Sequence, residues 1–468
     1  MHHKDYMKGL SILQKARALR EALSDDFRDI LVEGIYTESE RIAGSVSHFE
    51  DGERKNWDIK IDRIVTHPLW GLPLMFLGLA VVFWVTIVGA NYPSQFLATL
   101  LFSIGDYGAR LFEWLHMPWW ITGFIWHGVY KGLAWVTSVM LPPMMIFFPI
   151  FTILEDLGYL PRVAFNTDWL FKKVGAHGKQ ALTMTMGFGC NAAGVISARI
   201  IESPREKLIA ILTNNFVPCN GRFPTLIMLG IVFFASTSPS SFSSIIAAGA
   251  VVGSVLVGII FTLIVSWLLT KTILKGEASA FTLELPPYRR PSIMRVVYTS
   301  IIDRTIFVLR RAIIMAAPAG GAIWLMANIH IGNESLVKIV SDFLTPLGTA
   351  IGLDGVILLA YIIAIPANEI VVPTIIMGYL GVGAMTDLNS LSELRHLLVD
   401  QAGWTLLTAS CLMLFAVLHN PCSTTILTIW KETRSRKWTL ISAFMPLLIA
   451  FIVTFIVAQL WRLLQSGI

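Results

Sequence analysis

The segment Gly187–Ala198, GFGCNAAGVISA, decides how this chain folds, together with Asn214–Pro224, NNFVPCNGRFP. Both lie in long apolar runs, and both set a cysteine beside an asparagine among glycines or prolines. Such residues break a helix and free backbone N–H and C=O groups, each costing several kcal/mol where lipid is the only neighbour. Broken backbone is tolerated at membrane depth only where it faces protein or a watery cavity. Two such breaks close together therefore predict a functional interior.

The composition supports the membrane setting. Of 468 residues, 55% are hydrophobic and 14% charged, against roughly a quarter charged in a soluble chain. Several runs reach the ~20 apolar residues needed to cross the ~30 Å hydrocarbon layer, so the chain is a polytopic membrane protein with the lipid bilayer as its solvent. The first apolar run starts near Leu69 behind a polar segment, an arrangement unlike a cleavable signal peptide. Four cysteines at unrelated spacings make neither a disulfide framework nor a zinc finger. The net charge of +5 is modest, and no nucleic-acid partner is expected.

Residues 1–66 hold 11 Lys/Arg and 13 Asp/Glu and read as a separate cytoplasmic region resembling a helical spacer. Within it, Phe27–Val46 carries Ile30, Leu31, Ile35 and Ile42 at roughly helical spacing, and Glu50–Lys55 reads as a turn. Residues 67–131 should hold a first span, Leu69–Ala90, and an amphipathic surface helix, Ser94–Met117, interrupted by Asp106, Arg110 and Glu113. Leu133–Thr152 crosses next, and Ser244–Thr270, Thr305–Asn328 and Leu440–Leu463 are further spans. Breaks interrupt Gln180–Ile201, Leu208–Phe234, Gly355–Gly378 and Thr405–Ile429.

Basic connections at Arg162–Lys179, Arg199–Lys207, Lys271–Arg304 and Lys431–Lys437 belong in the cytoplasm, which puts the N-terminus there. Poorly basic ones at Asn91–Met117, Ala235–Ser243, His330–Gly348 and Gly381–Gln401 belong outside. Gln180–Ile201 then starts and ends inside, and Gly355–Gly378 starts and ends outside, so each is a re-entrant hairpin. The expected fold is all-α, with two inverted gate-like repeats over 132–270 and 305–468 joined by a cytoplasmic linker, 271–304. GFGCNAAGV resembles AIPANEIVV with Asn191 over Asn368, and NNFVPCNGRFPTLI resembles AVLHNPCSTTILTI with Cys219 over Cys422. Inverted repeats with matched broken segments point to a site near the midplane.

Cys190, Cys219 and Cys422 sit at the breaks, where a thiolate can ligate a transition metal. A freed carbonyl or the amide oxygen of Asn191 or Asn368 would help complete the shell, although both asparagines suit local capping as well. Cys411 has no breaker beside it and reads as core. Glu369 is alone in a long apolar run, a functional candidate by position. Met186, His419 and Asn220 are pathway candidates, Met184 reads as packing, and His127 and Glu155–Asp156 read as interface anchors. No G-x-x-x-x-G-K-[ST] loop occurs, so this chain should bind no nucleotide, and no enzymatic motif stands out.

Several ordered motifs, HGKQALTMTMGFGCNAAGVISARIIESPREKLIAIL, LELPPYRRP (Leu283–Pro291), IPANEIVVP and NPCSTTILTIWKETRSRKW, closely resemble the membrane part of the FeoB ferrous iron transporters. KIDRIVTHPLWGLPLMF (Lys60–Phe76) is similar to the point where that family reaches the membrane. The resemblance implies uptake of Fe(II) as substrate through two gates in the cytoplasmic membrane. Cys190 would match the first-gate cysteine, Cys219 that of the following broken span, and Cys422 the late Pro-Cys cysteine. Glu369 falls in the second-gate motif, where ANEIV replaces the usual AKEIV, so Asn368 stands for a lysine. The family's G domain is not recognisable in the sequence, which implies a separate small G protein, another drive or passive conduction; a homo-oligomer is a further expectation. The alternatives are a gate-type carrier of nucleosides or other small organic molecules, and a non-transporting membrane scaffold. Ligand types alone would favour Zn(II) or Cu over Fe(II), so iron rests on the resemblance.

Overall fold

The computed structural model describes residues 15, 27–46, 53–67, 69–235, 243–276, 285, 287–332, 334–380 and 391–466. Apart from one pair of two-residue strands, His330–Ile331 with Glu334–Ser335, regular structure among these residues is helical. Among the described residues, five helices are long and apolar enough to cross a membrane, or six when a bent pair counts as one. This is an all-α polytopic membrane fold. Residues 236–242 and 381–390 of two expected connections, and Leu283, Glu284 and Pro286 of the linker motif, lie outside the described residues.

Phe27–Val46 is a helix, as its apolar spacing predicts, and Ile30, Leu31, Ile35 and Ile42 are exposed along it. The expected turn at Glu50–Lys55 is corrected in part: Glu53, Arg54 and Lys55 open a second helix, Glu53–Val65, while Glu50–Gly52 lie outside the described residues. The separate surface helix expected over Ser94–Met117 is also corrected. One helix, Gly71–Trp114, runs 44 residues straight through Pro93, about 66 Å at 1.5 Å per residue. That is twice the ~30 Å hydrocarbon layer, so the end bearing Asp106, Arg110 and Glu113 projects beyond it. Tertiary packing fastens that end to the following helix. A Cβ on Gly108 would lie 2.3 Å from the Trp126 ring, and the Tyr130 hydroxyl donates to the Leu101 carbonyl at 2.9 Å.

The partner helix, Trp119–Asp156, includes a π-helical stretch, Gly123–Tyr130, and Pro142, Pro143 and Pro149. Tyr159–Lys173 follows as a short helix that ties down the N-terminal region. Arg162, 1% exposed, grips Asp62 with Nε to Oδ1 at 3.0 Å and Nη2 to Oδ2 at 3.1 Å. The Tyr288 hydroxyl donates to Asp62 Oδ1 at 2.8 Å, and its ring stacks 4.0 Å from the guanidinium. Three distant segments meet at this knot.

Each predicted hairpin folds back on itself. Gln180–Gly189 and Asn191–Ser197 are separate helices hinged at Cys190. A Cβ on Gly194 would lie 2.8 Å from the Thr183 carbonyl, so the arms run side by side. Their ends meet where Lys179 Nζ donates to the Ile200 carbonyl at 3.2 Å. In the second hairpin, Gly355–Ile363 returns through Asn368–Ile370 and Val371–Leu380. The Tyr379 hydroxyl closes it by donating to Asp354, which caps the first arm through the Ile357 N–H at 2.8 Å. A helix the sequence did not announce, Leu336–Ala350, bends by 109° into this hairpin.

Candidate functional site

Both hairpins turn at residues of nearly the same backbone conformation. Cys190 has φ −157° and ψ 125°, and Ala367 has φ −153° and ψ 116°. These two positions align in the sequence repeat, so the likeness of GFGCN and IPAN extends to their backbones. The broken spans repeat each other as well. After Cys219, the Asn220 N–H donates to the Gly189 carbonyl at 3.4 Å, and after Cys422 the Ser423 N–H donates to Ile365 at 2.8 Å. In both cases the residue after the cysteine satisfies a carbonyl freed just before a hairpin break.

The four breaks converge on one cavity of about 30 Å³. Its lining includes Cys190, Asn191, Cys219, Asn368, Glu369 and Cys422, the six residues the sequence singles out as candidate ligands. Cys190, Cys219, Glu369, Asn368 and Asn191 are all buried, and Cys422 Sγ lies 3.3 Å from Thr425 Oγ1. With its amide oriented to satisfy hydrogen bonding, Asn191 donates to the carbonyls of Val217 and Gly187, each at 3.1 Å. It therefore braces the break as well as lining the cavity. Among the described residues, no three His, Cys, Asp or Glu side chains form a preassembled metal cage. The thiols and the carboxylate surround a shared space without converging on one point.

The pathway candidates divide. Asn220 lines a smaller adjoining void of about 10 Å³ with Thr86, Phe147 and Phe188, and that void shares Met144 and Gly189 with the main cavity. Met186 is buried and contributes no side chain to either lining. The lining methionines are Met140 and Met144, from Trp119–Asp156. His419 also stays out of the cavity: its ring packs on Tyr361 and Phe415, with Nδ1 at 3.1 Å from the Phe415 carbonyl and 3.0 Å from that of Ala416. Cys411 is fully buried core, as expected. Glu155 and Asp156 line an open cleft with Arg289, Arg290 and Arg295.

Sequence reasoning passed over Arg222, which lies inside the quoted NNFVPCNGRFP. It is 2% exposed and clamps the two repeats together. Nη1 donates to the carbonyls of Asn215 and Val417, each at 2.9 Å, and Nη2 to those of His419 at 3.1 Å and Asn420 at 3.2 Å. The acceptors are carbonyls at the broken stretches of both spans. The available signal was the arginine itself, a charge at a depth where charge is rare.

Comparison with known proteins agrees with this architecture. Residues 137–236 match a family model described as Gate, nucleoside recognition, and residues 251–303 match one described as the C terminus of ferrous iron transport protein B. The Fe(2+) transporter FeoB of Staphylococcus aureus is 29% identical over 433 residues, covering 91% of this chain and 62% of the relative. A Porphyromonas gingivalis protein, a fusion of Fe(2+) transport protein A and FeoB, is 27% identical over 86% of this chain and 51% of its own length. FeoB of Leptospira interrogans is 27% identical over 86% and 60% respectively. The chain thus spans between half and two thirds of the length of these relatives. Both family models match in order along one gate architecture, and the chain is similar over most of its length to FeoB proteins.

Proposed function

We propose that this protein carries ferrous iron into the cytoplasm through the cavity between its two repeats. One observation carries the reading: three cysteines, a carboxylate and two asparagines, spread from Cys190 to Cys422 in the sequence, line a single buried space. Thiolates, a carboxylate and amide oxygens can together hold a divalent transition ion. The spread of these groups favours transit, since conduction needs binding strong enough to admit an ion and weak enough to release it. Cys190, Cys219, Cys422 and Glu369 are the ligands in this reading, with Asn191 and Asn368 as oxygen donors.

The lining weighs against a nucleoside: three cysteines and a carboxylate around one space offer donors for a transition ion. The names of the relatives favour iron over other divalent ions.

No phosphate-cradling loop occurs in these 468 residues, so a G protein acting on them brings its nucleotide site from elsewhere. We assign its docking to residues 1–66, at the cytoplasmic face in the charge-based orientation. The test is uptake by purified protein in vesicles, with Fe(II), Mn(II), Co(II) and Zn(II) compared. Fe(II) entry above the protein-free leak is expected. Absence of flux for every metal would return the protein to the scaffold reading.

A further inference from the structure

Among the described residues, six buried side-chain nitrogen or oxygen atoms lack a hydrogen-bond partner. Three are amide oxygens, Oε1 of Gln180, Oδ1 of Asn214 and Oδ1 of Asn215. An unsatisfied buried acceptor is costly, so their grouping near the first hairpin needs a reason. Asn215 turns aside, with Nδ2 donating to the Ser442 carbonyl at 3.1 Å. The other two lie along one line.

Gln180 stands at the base of the first hairpin. Its Nε2 donates to Thr213 Oγ1 at 2.8 Å and Ser266 Oγ at 3.2 Å. Seven residues on, about 10 Å along the helix, the Asn214 amide fills the groove between the hairpin arms. A Cβ on Gly187 or Gly194 would come within 2.6 Å of it. Its Nδ2 donates to the Asn191 carbonyl at 3.0 Å, and Asn191 lines the cavity. In the other direction, Glu206 lies two turns before Thr213 on Pro204–Thr213 and is 1% exposed. Gln180, Thr213, Asn214 and Ser266 are each no more than 1% exposed. A polar seam thus follows the hairpin from its tip at Cys190 to its base.

We propose that this seam is the inner half of the cation's route, a relay of amide and hydroxyl oxygens for a partly hydrated divalent ion leaving the cavity. The inference rests on the transport reading and assigns its exit. Sulfur ligands suit a transition ion better than neutral oxygens do. Affinity therefore falls from Cys190 past Asn214 to Gln180 and Thr213, which is what release requires. The seam ends near Glu206, beside the basic connection Arg199–Lys207 that the charge rule assigns to the cytoplasm.

Gln180→Met and Thr213→Val keep the shapes and remove the oxygens. In detergent, both variants should bind Co(II) within about twofold of the unmodified protein, while Fe(II) uptake in vesicles falls about tenfold or more, as for a lost exit step. Normal uptake per folded molecule overturns the proposal. So does Co(II) binding lost in step with uptake, because the residues would then be supporting the cavity. An unmodified protein that binds Co(II) and moves no metal would instead sink the transport reading. An independent measurement uses T213C and a small cationic methanethiosulfonate, with labelling located by peptide mass spectrometry. The new thiol should react faster than Cys411 and be slowed by Co(II). Reaction no faster than Cys411 means a dry seam, and the proposal fails whatever the flux.

Discussion

Gly221 and Glu369 touch across the two repeats: a Cβ on Gly221 would lie 2.3 Å from Oε1 of Glu369 and 2.6 Å from its carboxyl carbon. The carboxylate of the second hairpin thus rests against bare backbone two residues past Cys219. Gly221→Ala should push Glu369 out of place and cut uptake about tenfold or more, since small misplacements at a working site are costly. Shortening the acid by one methylene in the double variant Gly221→Ala/Glu369→Asp should recover part of the loss. Uptake of the four proteins, normalised to folded protein, forms the cycle; an innocuous Gly221→Ala would remove Glu369 from the pathway.

Glu369→Gln preserves shape and removes charge. If the carboxylate meets the ion, the variant folds with near-normal thermal stability and loses most of its flux. A carboxylate serving only as a backbone tie predicts the reverse, low stability with normal flux per folded molecule. Thermal unfolding and uptake on one preparation separate them.

The thiols should differ in the same way. Cys190 and Cys219 line the cavity, whereas Cys411 is fully buried against Gly352, where a Cβ would lie 2.7 Å from its Sγ. Small water-soluble thiol reagents should label the first two, and Fe(II) should protect them, with Cys411 unlabelled. Equal labelling of all three, indifferent to metal, would take the cysteines out of the site.

Arg222 should matter first for stability. Its guanidinium satisfies four backbone carbonyls, and charged hydrogen bonds are worth about 1.5–3 kcal/mol each. Arg222→Leu leaves those carbonyls bare and should lower the thermal midpoint in detergent markedly. Arg222→Lys, with fewer donors on a point charge, should fall between. A Leu variant as stable as the original protein would show that the clamp carries no weight.

The knot at Asp62 has a pH signature. Burial pushes its carboxyl up, but the hydrogen bonds from Arg162 and Tyr288 and the arginine's charge outweigh that and hold it below the ordinary carboxylate value. A depressed value means the knot contributes its stability in full above the usual carboxylate range, about pH 4, and loses it as pH falls through the depressed value. Protease cleavage between Glu53–Val65 and the membrane region should therefore stay slow at neutral pH and rise only in strong acid. Asp62→Asn should be cleaved faster at neutral pH and lose that acid step; an unchanged profile would mean that the contact bears no load.

The breaks were legible because chemistry at membrane depth is restrictive. Glycine, proline, asparagine and a lone glutamate inside apolar runs are expensive, so GFGCN, VPCNG, IPANE and HNPC announced broken backbone, and local likeness paired Asn191 with Asn368. What a side chain faces is not encoded in that local pattern. Met186 sits one turn before Cys190 yet turns away, while Met140 and Met144 arrive from a different helix. His419 neighbours the NPC motif but packs on aromatic rings. Composition likewise put Ser94–Met117 on the surface, because Asp106, Arg110 and Glu113 interrupt it. Packing of the helix around Gly108 on Trp126 instead carries it on as one rod. Sequence by itself determined that the chain crosses the membrane, where its helices break, and which residues could meet an ion there. Only the tertiary structure decided which of them share a space, because contacts between segments as distant as Gly221 and Glu369 depend on how whole helices pack rather than on any local run of residues.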